Sequence, residues 1–277
     1  MATDLAQSAS AAPAAHLEDI VVGPFRDPDR YGVVIEDSPR RVRVFFNNQV
    51  IADSRRVKLL HETKHLPVYY LPLEDVRQDL LTPTVHSSHC PYKGDARYWS
   101  IQVGDRTAEN AVWNYPTPIE GCPDIAGLVA FYWNKVDAWF EEDEQVFVHP
   151  RDPYHRVDIL ESARHVEVWL DGVKLADSHR PRVLFETGLP PRYYLPKLDV
   201  RTDLLRPTAS HTACPYKGTA SYWSVEANGT VFDDLVWGYP TTIVEASKIA
   251  NLLCFYNEKV DLVVDGERQE RPSTPWS

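Results

Sequence analysis

The chain contains itself twice. Residues 42–141 lie over residues 166–265 at a constant offset of 124 without a gap, and about 45 of the 100 paired positions are identical. A unit of this size exceeds the roughly 20–50 residues of solenoid repeats and matches a whole domain, so the pattern predicts a tandem duplication of one fold. A length of 277 residues fits two domains. The duplication also supplies an internal comparison, because a residue kept in both copies is a better candidate for a shared task than one kept in a single copy. The expected division is a loose tail over residues 1–23, a first domain over 24–148 and a second over 149–277. Two like domains in one chain are expected to pack as an intramolecular pseudo-dimer about an approximate twofold axis.

Hydrophobic periodicity fixes the class. Val42, Val44 and Phe46, and again Val166, Val168 and Leu170, alternate with polar residues as in a half-buried strand. Asn47-Asn48 and Asp171-Gly172 follow where a two-residue hairpin turn needs positive φ. Further strands are predicted over residues 57–61, 68–71, 98–103 and 111–115 and their counterparts 124 positions on. Short helices or turns are predicted over 73–81 and 198–205, each after a proline. Ile249, Leu252, Leu253 and Tyr256 recur at helical spacing, so two helical turns are expected before a closing strand over 260–264. With 22 prolines against 12 glycines the chain reads as mainly β, two antiparallel domains with extended loops and few short helices. Arg26-Asp27-Pro28 and Arg151-Asp152-Pro153 give each domain a similar leading segment.

A net charge of −11 and a pI near 5.4 oppose nucleic acid or an anionic membrane as partner, since both need clustered Lys and Arg. Met1 to Ala15 lacks a basic n-region and an apolar run, and no segment reaches the roughly 18 apolar residues of a membrane span. Four cysteines make no disulfide framework, and only Cys90 and Cys214 are counterparts, so a reducing cytoplasm is expected.

The densest shared stretch is Cys90-Pro91-Tyr92-Lys93-Gly94 with Ala96 and Tyr98-Trp99-Ser100, matched by Cys214-Pro215-Tyr216-Lys217-Gly218 with Ala220 and Tyr222-Trp223-Ser224. A Pro and a Gly bracket a turn that feeds a strand and holds thiol, phenol and amine at a sheet end. A lysine near a cysteine raises the thiolate fraction, which makes Cys90, Lys93, Cys214 and Lys217 candidates for nucleophilic work. A buried thiol beside a solvated lysine is the plainer reading of the same residues. Glu62 and Glu186 follow the apolar positions of a strand. Each either pairs with Arg77 or Lys93 (Arg201 or Lys217) or carries a raised pKa suited to proton transfer. The shared aromatics Tyr70, Tyr92, Trp99, Trp113 and Tyr115, with Tyr194, Tyr216, Trp223, Trp237 and Tyr239, are the candidate lining of a pocket for a flat, weakly polar ligand, with Arg77 and Arg201 as further ligand-binding candidates. On the strand, Tyr98 and Trp99 must face opposite ways, and Trp99 is assigned to the pocket.

The Cys-Pro-Tyr-Lys-Gly-x-Ala-x-Tyr-Trp-Ser stretch, preceded by Tyr-Tyr-Leu-Pro-x-x-Asp-Val-Arg-x-Asp-Leu-Leu and followed by Trp-x-Tyr-Pro, resembles the domain of unknown function 427 family over nearly the whole of both copies. The resemblance implies a β-tent domain, similar in outline to the cereblon thalidomide-binding domain and to methionine sulfoxide reductase B, and implies no reaction. Relatives of that fold often carry zinc on two Cys-x-x-Cys knuckles, and this chain has none. His86 and His89 become Ser210 and Ala213 in the second copy, which opposes a shared metal site. No metal and no cofactor are therefore expected. The nucleotidyl-transfer label given to the family finds no glycine-rich phosphate cradle here.

Three functions of different class stand: a metal-independent small-molecule enzyme using Glu62, Cys90 or Lys93 and their counterparts; a small-molecule-binding module without turnover; and a protein-interaction scaffold. Asn114 in place of Gly238, and Asp95 in place of Thr219, favour the second copy as the active one.

Overall fold

The computed structural model describes residues 31–274 and 277. The tail over 1–23 and the leading segment Arg26-Asp27-Pro28 lie outside the described residues. The first domain is built from strands β1 (Val33–Asp37), β2 (Val42–Phe46), β3 (Gln49–Ser54), β4 (Lys58–Glu62), β5 (Val68–Pro72), β6 (Leu81–Cys90), β7 (Gly94–Val103), β8 (Arg106–Asn114), β9 (Leu128–Phe131), β10 (Ala138–Glu141) and β11 (Glu144–Val146). They form a seven-stranded antiparallel sheet in the order β1-β4-β5-β9-β8-β7-β6 and a four-stranded sheet in the order β11-β10-β2-β3. The second domain repeats this plan with one seven-stranded and one four-stranded sheet. The chain is mainly β throughout, in two like halves.

Each seven-stranded sheet is apolar on both faces. One face packs on the small sheet, where Val42, Val44, Ile51, Leu59, Tyr69, Leu71, Ile101 and Val112 form the main core. The other carries a smaller cluster of Leu60, Tyr70, Ala96, Tyr98, Tyr115, Ile125 and Ala130. Adjacent residues therefore serve different cores, Tyr69 one and Tyr70 the other, as strand alternation requires. The hairpin turns fall where the sequence puts them, with Asn47 and Asn48 at φ 46° and 59° and Asp171 at 47°. The segments after Pro72 and Pro196 form pairs of 3₁₀ turns, Leu73–Asp75 with Gln78–Leu80 and Lys197–Asp199 with Thr202–Leu204.

The helix expected around Ile249 to Tyr256 is absent. A 3₁₀ segment, Val244–Ile249, comes earlier, Asn251 turns the chain at φ 60°, and Leu253–Phe255 is a strand between two others of the large sheet. A four-residue spacing of apolar side chains spanning a turn and a buried strand mimics a helical stripe.

Among the described residues, the contacts between the domains are not made twice. Tyr154 of the second domain donates to Glu36 Oε2 at 2.8 Å and sets its ring against His61 of the first. The β4–β5 hairpin tip of the first domain, His65 to Pro67, reaches a cavity of the second. No side chain of the second domain lines the corresponding cavity of the first among the described residues. Leu160 and Phe185, the counterparts of Glu36 and His61, are exposed. A twofold would also set Leu189 to Pro191, the counterparts of His65 to Pro67, against the first cavity, and they do not line it.

Candidate functional site

The second face of each large sheet is not fully covered, and a cavity opens over its smaller aromatic cluster. In the first domain it has a volume of about 680 Å³ and in the second about 530 Å³, both in the range of small-molecule sites. Strand geometry sets the lining. Leu60 and Glu62 on β4, Tyr70 on β5, Tyr98 on β7 and Trp113 on β8 reach the cavity, with Tyr115 just beyond β8. Cys90, Tyr92 and Lys93 come from the β6–β7 turn.

The turn is closed by the Lys93 N–H donating to Cys90 O at 3.2 Å, and the same bond recurs from Lys217 to Cys214 at 3.4 Å. Gly94 and Gly218 follow at φ +103° and +112°, where a side chain is disfavoured. At Gly218 a Cβ would stand 2.5 Å from Thr241 O, so the glycine also admits the neighbouring strand. This tight corner turns the lysine inward.

Lys93 Nζ donates to Glu62 Oε2 at 2.5 Å, and Lys217 Nζ donates to Glu186 Oε2. The other carboxylate oxygen accepts from a third group that differs between copies. In the first domain Tyr31 OH donates to Glu62 Oε1 at 2.5 Å, and its ring stacks on Tyr92 with centroids 3.9 Å apart. In the second, His155 Nε2 lies 3.0 Å from Glu186 Oε1 and stacks on Tyr216 at 4.3 Å. Each domain thus holds a carboxylate between an ammonium and a ring, on a wall of tyrosines.

Burial alone would push the Glu62 carboxyl up, but hydrogen bonds from Lys93 and Tyr31 outweigh it and hold the group below its ordinary value. Glu186 is also buried, and is likewise held low by His155 and Lys217. Both are carboxylates near neutral pH, which removes the raised pKa expected of a general acid. Burial raises the Cys214 thiol, with Lys217 opposing only in part, and raises Cys122 as well. That direction is opposite to the one expected of a lysine-activated thiolate at Cys214, and its largest cause is burial. Burial pushes Tyr216 up to about 12 and Tyr239 higher still, so these two phenols stay protonated.

Of the residues singled out in the sequence, Glu62, Tyr70, Cys90, Tyr92, Lys93, Trp113 and Tyr115 line one cavity and Glu186, Tyr194, Cys214, Tyr216, Lys217, Trp237 and Tyr239 the other. Trp99 and Trp223 do not. They pack on the main cores, and Tyr98 and Tyr222 take the cavity side. Arg77 and Arg201 are surface residues gripping Asp79 and Asp203 through two bonds each, outside both cavities.

Sequence reasoning missed Tyr31, His155, His149 and the hairpin tip at His65. Tyr31 and His155 are counterparts at the same offset of 124, but a search for identical residues discards them. The second cavity has further polar groups. His149 Nδ1 lies 2.7 Å from Pro150 O, and burial lowers its pKa, so it is neutral. Trp237 Nε1 donates to Tyr194 OH at 3.1 Å, and Arg192 stands over the Trp237 ring. Arg192 is held by Glu258 through bonds of 2.7 and 2.6 Å.

Among the described residues one trio could approach a metal ion, His165, Asp177 and His179. None of them lines either cavity, and Asp177 is already bonded to Lys174 and His165. No described helix is long and apolar enough to cross a membrane.

A family model described as a domain of unknown function, DUF427, matches the chain twice, over residues 34–142 and 158–266. Comparison with curated proteins finds no match.

Proposed function

We propose that this chain, which belongs to the DUF427 family in both of its halves, binds a small, planar, uncharged ligand in the aromatic cavity of its second domain, with the Glu186–Lys217 pair meeting the ligand's polar edge. The observation that carries this reading is the buried ion pair itself. An apolar pair of similar volume is often neutral or better for stability than a buried salt bridge. A Glu–Lys pair present in both copies, each time on a cavity wall rather than within a core, therefore argues for a ligand. The pair brings no net charge, and Tyr194, Tyr216, Tyr239 and His149 around it are neutral, so a neutral ligand with donors and acceptors on its rim fits best. The hairpin tip of the first domain adds to the wall of the second cavity, and no described side chain of the second domain does the same for the first.

This reading requires no metal and no thiolate. Four unpaired cysteines suit a reducing compartment such as the cytoplasm. The test is thermal shift against a library of planar heteroaromatic compounds, run with and without EDTA. A ligand at about 100 times its Kd adds about 2.7 kcal/mol to the stability of the domain that binds it. That shift should survive EDTA and vanish in the Glu186→Leu/Lys217→Met protein, whose pair is replaced by apolar groups. A shift kept in that variant, or lost with EDTA, contradicts the reading.

Turnover in the second domain is a second reading, favoured by one observation. His155 is oriented by Glu186 as a general base is oriented by a carboxylate, while the first domain has Tyr31 there. Its test is consumption of the bound compound followed by NMR. His155→Gln should stop consumption and leave binding; a compound bound indefinitely by the unaltered protein contradicts it.

A further inference from the structure

The two domains use one face of the sheet edge in opposite ways. On β1 and β4 of the first domain, Glu36 pairs across with Leu59 and His61 with Val34, which puts Glu36 and His61 on one diagonal. They touch, His61 Nε2 lying 2.9 Å from Glu36 Oε1, and Tyr154 of the second domain covers both. The register repeats in the second domain, where Leu160 pairs with Val183 and Phe185 with Asp158. The same diagonal there carries Leu160 and Phe185, which are 52% and 39% exposed. A polar, covered pair in one copy is an apolar, open pair in the other.

Effective concentration explains the difference. A face met by the same polypeptide needs little affinity of its own, and a polar contact suffices. A face that must capture a separate molecule needs apolar area at its centre. Beside Leu160 on this face, Arg156 and Asp158 pair at 2.8 Å, one charge of each sign. Such a pair is self-complementary across a twofold, Arg156 to the other copy's Asp158, although the chain as a whole is acidic. The strand's edge is less available than its face, since Lys248 Nζ caps Ile159 O at 3.0 Å.

We propose that the Leu160–Phe185 face of the second domain joins two copies of this chain in a closed twofold dimer, face on face. Tyr154 covers this face in the first domain, the face is exposed in the second, and a closed dimer would bury it there without starting a filament.

Sedimentation of the full chain between about 1 and 200 µM tests this, a range suited to a small, weak contact. The mass should double with concentration. Leu160→Glu/Phe185→His, which installs the residues the first domain carries at these positions, should hold it at the monomer with unchanged circular dichroism. Arg156→Asp should weaken the dimer about tenfold, and Arg156→Asp/Asp158→Arg should restore it. A monomer at every concentration, growth beyond the dimer, or a dimer kept in the Leu160→Glu/Phe185→His protein would each overturn the proposal.

Discussion

Glu186 and Lys217 have side chains only 7% and 11% exposed, so neither can lose its partner without cost. Lys217→Ala leaves a buried carboxylate with His155 alone, and should destabilise the second domain by about 3–5 kcal/mol in denaturant unfolding. The paired replacement Glu186→Leu/Lys217→Met should come within about 1 kcal/mol of the unaltered protein, because no charge is stranded. A similar loss from both proteins would contradict this. A second residue-scale test is acid stability. Arg192 and Glu258 have no counterparts in the first domain, where Val68 and Asn134 stand. Burial opposes ionisation of Glu258, but Arg192 and Thr274 bring its pKa from 4.5 to about 2. A lowered carboxyl contributes stability that is complete above 4.5 and drains as pH falls toward 2, on the order of 3 kcal/mol for such a shift. Glu258→Gln should therefore lower stability at neutral pH and flatten the loss between pH 4.5 and 2, in the second domain only. A profile as steep as that of the unaltered protein would rule the pair out as its source.

At the scale of elements, the β6–β7 corner and its counterpart do the positioning. Gly218→Ala forces a side chain into positive φ and against Thr241 O, and should cost about 2–3 kcal/mol. At Gly94 the nearest atoms are 3.2 Å away and one is the Ile119 side chain, so Gly94→Ala should cost less. Equal melting temperatures for the two variants would contradict that ranking. The corner was legible in the sequence because Pro and Gly punctuate it in both copies. The hairpins were legible from alternation and turn residues. The strands Leu81–Cys90 and Leu205–Cys214 were not, since they are mostly exposed and rich in Thr, Ser and His, with no apolar period to read. The same limit explains Trp99. Alternation separates it from Tyr98 but cannot say which face holds the cavity when both faces of the sheet are apolar.

For the whole molecule, the duplication gave the two-domain division but not the relation between the domains. Like domains suggest a twofold, yet the contact is set by residues that differ between copies, Glu36 and His61 against Leu160 and Phe185, and by a short linker. The differences also rank the cavities: among the described residues, only the second has a histidine on its glutamate and side chains of the other domain in its wall. The central claim is that a ligand lies on the Tyr194, Tyr216 and Trp237 face beside Glu186 and Lys217. With 8 tryptophans in the chain, the indole N–H region of a ¹⁵N–¹H spectrum resolves it. Titration with a compound selected by thermal shift should move the indole of Trp237, whose N–H bonds Tyr194 inside the cavity, and leave Trp99 and Trp223, on the opposite faces of the sheets, in place. Movement of Trp223 with Trp237 unmoved would put the ligand on the other face and contradict the account.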